Sequence, residues 1–291
     1  MEDKVLGTYV NGNFTVTIFE SGTKIRENDL DCLIPDMPES VDMKITNKCE
    51  RKCKYCHEMS TPEGKHADLR VLEPLINSMN PWSEIAIGGG NPIVHPDLHW
   101  FLGKLKERNI IANMTVNYRD LQERRLQKRF LKDLIHDDLI KGVGISAPDP
   151  ANEEVNWIEF VNVCNEFPHT VVHVINRIHS GEAIDELMKY GDELKVLILG
   201  YKTKGRGCDF VPPYADDVMS DKFFQMGSAF EVLCFDNLAL EQLNVKDKLS
   251  QITDVAQNTS ASSEEAAAAA QELTSQSDMM HSLASVFNIK E

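Results

Sequence analysis

The strongest constraint on how this chain can fold is a change of period that starts at Val41 and keeps recurring. A short run of β-branched, mainly apolar residues gives way to a stretch of helical spacing, and the pair then repeats. The strand-like runs are VDMKIT (41–46), SEIAIG, IIANMTVN (110–117), GVGISA (142–147), TVVHVIN (170–176) and ELKVLILG (193–200). Between them, Leu98, Phe101, Leu102 and Leu105 share one face of a helix over 97–107. A sparser face is made by Leu121, Leu131, Leu134 and Ile135, and 153–166 and 182–190 are similar. Near-continuous apolar strands separated by helices are the pattern of parallel strands covered on their faces.

Ahead of this rhythm, LGTYV and FTVTIF flank Asn11-Gly12-Asn13, and the Asn-Gly pair predicts a tight β-hairpin. The expected fold is therefore α/β: a partial (β/α)6 TIM-like barrel with an N-terminal β-hairpin and a long C-terminal helix. Four segments follow: a hairpin extension over 1–40, the barrel over 41–205, an extension over 206–249 and a helix over 250–291. The sequence YKTKGRGCDFVPPYADD reads as a loop, and FEVLCFDNLALEQL fits a strand, a helix or both. Parallel βα folds carry their chemistry at the C-terminal ends of the strands, which is where motifs are to be sought.

Seven cysteines are present; Cys32, Cys164, Cys208 and Cys234 are scattered, and Cys49, Cys53 and Cys56 are clustered directly after the first barrel strand. An odd count with one tight cluster favours metal ligation or free thiols over a disulfide framework. Spacings of three and two let one loop wrap three thiolates around an iron–sulfur cluster and leave one iron open. Cys53 and Cys56 alone also fit a redox pair or half of a zinc site, with His57 as an adjacent ligand.

The motif Cys49-x-x-x-Cys53-x-Tyr55-Cys56, placed after the first strand of a partial barrel, resembles the radical S-adenosylmethionine (SAM) superfamily over about residues 41–200. The resemblance implies a [4Fe–4S] cluster on the three cysteines, with SAM chelating the open iron and being cleaved by an electron from the reduced cluster. The products are methionine and a 5′-deoxyadenosyl radical that abstracts a substrate hydrogen. An electron donor such as flavodoxin or ferredoxin is implied as well. Gly89, Gly90, Asn91 and Pro92 look like the family's Gly-Gly-Glu-Pro motif, whose backbone meets the SAM amino group, although Asn91 replaces the usual Glu. Asn117, Ser146 and Asn176, at later strand ends, are placed as contacts to the SAM ribose or carboxylate; each also fits a turn or a helix cap.

Lys202, Lys204 and Arg206 follow the sixth strand and fit either an anion site or a solvated basic loop. His57 and Glu58 are placed to tune the cluster or touch substrate, and loop-capping contacts explain them equally well. Lys and Arg total 30 against 46 Asp and Glu, a formal charge of −16, which argues against nucleic acid or an anionic membrane as a partner. No apolar run approaches the roughly 20 residues that span a bilayer, and the N-terminus lacks a secretory pattern, so a cytoplasmic location is expected.

The last forty residues change character. Ile252, Val255, Thr259, Ser262, Ala266, Ala269, Leu273, Gln276, Met280, Leu283 and Phe287 form a heptad seam, small or polar at its centre. Residues of about 250–291 are similar to the C-terminal helix of methyl-accepting chemotaxis proteins, and Ser260, Ala261, Glu264, Glu265, Ala268 and Ala269 match their methylation consensus. The segment reads as a grafted, recombined or mis-assembled end and not a working signalling module, with self-association as the most it is expected to do. The chemistry of the substrate is not readable from the sequence.

Overall fold

The computed structural model describes residues 4–30, 32–148 and 155–245. The chain divides into two compact units, Met1–Gln242 and Leu243–Glu291. The first takes in the hairpin, the barrel and most of the 206–249 extension together. The chemotaxis-like helix expected over 250–291 lies outside the described residues.

Seven strands form one parallel sheet: β4 (Ser40–Thr46), β5 (Glu84–Gly89), β6 (Ile111–Asn117), β7 (Gly142–Ser146), β8 (Thr170–Ile175), β9 (Lys195–Leu199) and β10 (Val232–Phe235). They lie in sequence order, with β4 and β10 at the two edges. The six strands read from the sequence are all present. The seventh comes from FEVLCF, and the residues after it form a helix, so that segment is both strand and helix.

The connecting helices are α1 (Glu73–Ser78), α2 (Leu98–Glu107), α3 (Tyr118–Glu123), α4 (Arg125–His136), α5 (Trp157–Asn165), α6 (Gly181–Met188), α7 (Asp217–Asp221), α8 (Phe223–Ala229) and α9 (Asn237–Gln242). The helix expected over 121–135 is two helices, broken at Arg124. Asn156 and Ser180 cap α5 and α6 by accepting from the backbone N–H of Glu159 and Ala183. Asn109, Asp138 and His169 adopt positive φ where the chain leaves α2, α4 and α5 for the next strand. These residue types tolerate that conformation better than most.

Alternation along the strands sorts the two faces of the sheet. Ile85, Ile87, Met114, Val143, Ile145, Val172, Val174, Val196 and Ile198 are buried, as are Phe101, Leu102, Leu131, Phe160 and Leu187 from the helices. Burial of each such side chain stabilises by about 1.5–3 kcal/mol. The intervening positions, among them Gly88, Asn113, Thr115, Asn117, Gly144, Ser146 and His173, are only half-buried, and they are polar or small. In β5, β6 and β7 the second face is mostly small or polar, while β8 and β9 keep Val171, Ile175, Leu197 and Leu199 on it.

The N-terminal hairpin is extended to a three-stranded antiparallel sheet of β1 (Val5–Asn11), β2 (Phe14–Phe19) and β3 (Lys24–Glu27). Its turn is Gly12-Asn13 and not Asn11-Gly12. Asn11 pairs with Phe14 and only Gly12 has positive φ, the pattern of a type II′ turn. Tyr9, Phe14 and Val16 pack with Trp82, and Lys24 pairs with Glu84 at 2.6 Å. Trp82 and Glu84 stand where β5 begins, so this sheet covers the N-terminal end of the barrel strands and leaves the opposite end clear.

Phe101 is fully buried on α2. Phe101→Ala is expected to destabilise the fold by about 3–5 kcal/mol, read as a lowered denaturation midpoint in urea.

Candidate functional site

At the C-terminal end of the sheet, β4 runs into the loop that carries the three cysteines. The loop closes on itself: Cys49 N–H donates to Thr61 O at 2.8 Å, Thr61 N–H to Asn47 O at 3.0 Å, and Asn47 N–H to Lys65 O at 2.8 Å. Inside it, Cys56 N–H donates to Cys53 O and Met59 N–H to Cys56 O, and Lys52 and Met59 take positive φ. Cys49, Cys53 and Cys56 are free and half-buried. Burial pushes the Cys53 thiol up to about 11, with charge on Cys56 and Cys49 adding to the shift, and burial raises Cys49 as well.

Thiolates are the form that binds metal, and three of them crowded into a half-buried loop repel one another. A cationic iron–sulfur core relieves that repulsion, and soft thiolate donors suit it. Among the described residues, no three His, Cys, Asp or Glu side chains converge on a single metal ion. A four-iron cubane takes each thiolate on a different iron and does not ask the sulfur atoms to meet at one point. The donor set fits the cluster that the sequence resemblance implies.

Three other parts of the barrel brace this loop. From β5, Gly90 N–H donates to Thr46 O and Asn91 N–H to Lys48 O, both at 2.8 Å. The backbones approach so closely that a Cβ at Gly90 would lie 2.2 Å from Lys48 O, and one at Gly89 (φ 112°) 2.4 Å from Thr46 O. From α3, Asp120 receives Arg51 Nε at 2.9 Å and Glu123 receives Arg51 Nη2 at 2.8 Å, while Arg124 pairs with Glu50. Burial raises the Asp120 carboxyl pKa against the pull of Arg51 and Arg124. From the loop after β9, Arg206 Nε and Nη1 donate to the carbonyls of Cys53 and Ser60 at 2.9 and 3.0 Å.

Several of the sequence-predicted residues have partners within the protein. Gly89 and Gly90 admit the backbone of the cysteine loop, and Gly88 is the one whose Cβ position faces open space. Asn91 caps a short 3-10 turn that starts at Pro92, accepting from Ile93 N–H, and its amide donates to Gln127 at 3.1 Å. Asn117 caps α3 through Arg119 N–H. Asn176 is fully buried, and its amide is engaged by Asp216 at 2.6 Å and Gln242 at 3.1 Å, inside a network that includes the Arg177–Asp216 pair. Ser146 is half-buried, and among the described residues its hydroxyl makes no hydrogen bond. Arg206 is committed to backbone carbonyls and not to an anion. Cys208 and Cys234 are exposed, and Cys208 Sγ donates to Thr203 O.

His57 and Glu58 were singled out in the sequence, whereas their partner Lys44 and the group around His173 were not. Lys44 pairs with Glu58 at 2.5 Å, and Glu58 faces His57 Nε2 at 3.3 Å. Burial and the neighbouring Lys202 lower the His57 pKa. On the half-buried face of the sheet, the His173 ring lies where a Cβ on Gly144 would meet it at 2.5 Å, with Thr115 Oγ1 beside the same point at 3.0 Å. Burial lowers His173 to about 4, so it is neutral near pH 7. The signal for these residues was the run of small or polar alternate positions in β6 and β7, namely Asn113, Thr115, Asn117, Gly142, Gly144 and Ser146, with His173 opposite them in β8. A cavity of about 320 Å³ beside Arg177 and Asp216 does not border the cysteines.

No family model matches the chain, and no curated protein sequence matches it. Solved structures do. Streptococcus suis SuiB superposes with a TM-score of 0.58 at 12% identity, over 82% of this chain and 73% of SuiB. SuiB bound to S-adenosylmethionine gives 0.56 at 13% identity, over 81% and 72%. SuiB bound to its precursor peptide SuiA gives 0.54 at 16% identity, where the chain spans 72% of its own length and about half (52%) of the SuiB chain. At these identities the likeness is one of fold: the α/β partial barrel expected from the sequence is the architecture of SuiB.

Asp120 is 4% exposed at its side chain and Arg51 13%. Removing Arg51 leaves the buried carboxylate with Arg124 alone, its Nε 3.6 Å from Asp120 Oδ1, so Arg51→Met is expected to cost about 1–3 kcal/mol. Asp120→Asn added to Arg51→Met should recover most of that loss. Urea denaturation of the two single variants and the double variant measures the coupling.

Proposed function

We propose that this chain is a radical SAM enzyme, with a [4Fe–4S] cluster on Cys49, Cys53 and Cys56 and SAM as its second cofactor. The observation that carries this reading is the position of three half-buried thiols on one braced loop, at the C-terminal end of a partial parallel barrel whose fold is that of a SAM-binding protein. Held by Cys49, Cys53 and Cys56, such a cluster would supply the electron for reductive cleavage of SAM and so for hydrogen abstraction from the substrate.

The protein's part is to bind, orient and shield. Cys49, Cys53 and Cys56 would hold three irons of the cluster and leave the fourth open to SAM. Gly88 keeps the strand end beside the loop free of side chain, and Ser146 offers an unengaged hydroxyl on the half-buried face. Asn117, once its carbonyl oxygen has capped α3, keeps amide hydrogens for the same face. Gly90 and Asn91 fix the cysteine loop through Thr46 O and Lys48 O, and the backbone of Gly89, Gly90, Asn91 and Pro92 would meet the SAM amino group, with Asn176 at the end of β8 as a further contact. A one-electron donor such as flavodoxin or ferredoxin supplies the reductant. Among the described residues no helix is long and apolar enough to cross a membrane. The acidic balance of the chain disfavours nucleic acid as substrate. Residues 250–291 serve self-association.

One observation favours a second reading, a non-catalytic metal-binding barrel joined to an association helix. Asn91 stands where a carboxylate is expected, and its amide is turned to Ile93 and Gln127.

The test is anaerobic. The protein is reconstituted with iron and sulfide, SAM and dithionite are added, and 5′-deoxyadenosine is quantified. Product that falls to background in Cys53→Ala is the expected result. A well-formed cluster that binds SAM and yields no product supports the second reading, and failure to bind iron overturns both in favour of a zinc or dithiol protein.

A further inference from the structure

We propose that Arg206 is the positioning residue of the cysteine loop, and that its charge makes the group held there easier to reduce. The second half rests on the cluster-binding reading above; the first does not. Arg206 lies in the short 3-10 turn Gly205–Cys208 that follows β9. It makes three hydrogen bonds to one loop: backbone N–H to Cys56 O at 3.1 Å, Nε to Cys53 O at 2.9 Å and Nη1 to Ser60 O at 3.0 Å. Two of the three acceptors are the carbonyls of cysteines.

The turn is built to come this close. Gly205 takes φ 55°, and a Cβ there would lie 2.4 Å from His57 O. A Cβ at Gly207 would meet Lys202 O at 2.4 Å, with Tyr55 O at 3.5 Å. Behind the turn, the buried Tyr201 directs its hydroxyl at Gly207 O (2.7 Å) and Phe210 O (3.1 Å), and the Phe210 ring stands 6.0 Å from that of Tyr55. The turn is thus secured from its own side, and the cysteine loop is the part that is held. A planar fork of donors is what spans two carbonyls at once; a lysine carries the charge without that geometry.

Charge is the second consequence. Among the described residues no carboxylate pairs with Arg206, so its positive charge is uncompensated beside the Cys53 carbonyl. Thiolates and an iron–sulfur core become more negative on taking up an electron, and a fixed cation close by favours that reduced state.

Full-length wild type, Arg206→Met and Arg206→Lys decide both halves. Backbone amide exchange over 49–61, measured without metal, is expected to quicken by about tenfold or more in Arg206→Met, with β5–β8 unchanged. After anaerobic loading with iron and sulfide, an EPR-monitored redox titration should give a more negative midpoint in Arg206→Met. Arg206→Lys should restore the midpoint toward wild type and leave the exchange fast. Wild-type exchange in Arg206→Met, or acceleration spread over the whole barrel, overturns the positioning role; if that variant does not fold, wild-type exchange in Arg206→Lys does the same. An unchanged midpoint in loaded Arg206→Met overturns the role of the charge. If wild type takes up no iron, the proposed function fails and the charge role with it, while the exchange data still decide the positioning.

Discussion

The backbone carbonyls of the cysteine loop are where the rest of the structure converges. Thr46 O and Lys48 O are taken by the N–H groups of Gly90 and Asn91, Glu58 O by Lys44 Nζ, and Cys53 O, Cys56 O and Ser60 O by Arg206. The loop adds bonds of its own, with Cys56 N–H also on Cys53 O and Met59 N–H also on Cys56 O. A loop rich in polar backbone and poor in apolar side chains has no core of its own, so its shape must be imposed by hydrogen bonds from elements that do have one. The donors come from β4, β5 and the segment after β9, each anchored in the sheet.

That division of labour follows from the two faces of the strands. One face carries Ile, Val and Met into the helices and supplies the stability. The other is half-buried and carries Gly88, Thr115, Gly144, Ser146 and His173, with apolar Ile175, Leu197 and Leu199 only toward β8 and β9. A small residue next to a large one is a way of giving the large one a fixed place: His173 occupies the room that Gly144 leaves. The alternation that keeps the barrel folded therefore also produces a surface on which polar groups can be held in fixed geometry.

The order of strands, the cysteine motif and its place after the first barrel strand were legible in the sequence, because hydrophobic period and cysteine spacing are local properties. β10 was legible only as one of several readings of its segment, since Val232 and Cys234 are exposed at an edge and give no buried pattern. The glycines after β5 were legible as a close approach but not as to what approaches: the neighbour is the backbone of Thr46 and Lys48. Asn91, Asn117 and Asn176 illustrate the same limit. An amide at a strand end fits a ligand, a cap or a buried network equally well in one dimension, and Asn176 is committed to Asp216 and Gln242, residues far along the chain. Arg51 and Asp120 gave no signal either, since their partnership spans a sequence separation of 69.

Arg206 carries this point furthest. Its bond to Cys53 O closes a sequence separation of 153 residues, and β4 and β9, whose ends it links, are separated in the sheet by β5, β6, β7 and β8. The spacing of the cysteines is therefore necessary for the site and insufficient for its geometry. Contacts of such high sequence separation carry their closure cost before they return any stability. The loop reaches its final shape only when the sheet through β9 is in place, so the site that the first strand announces is completed by the last third of the barrel.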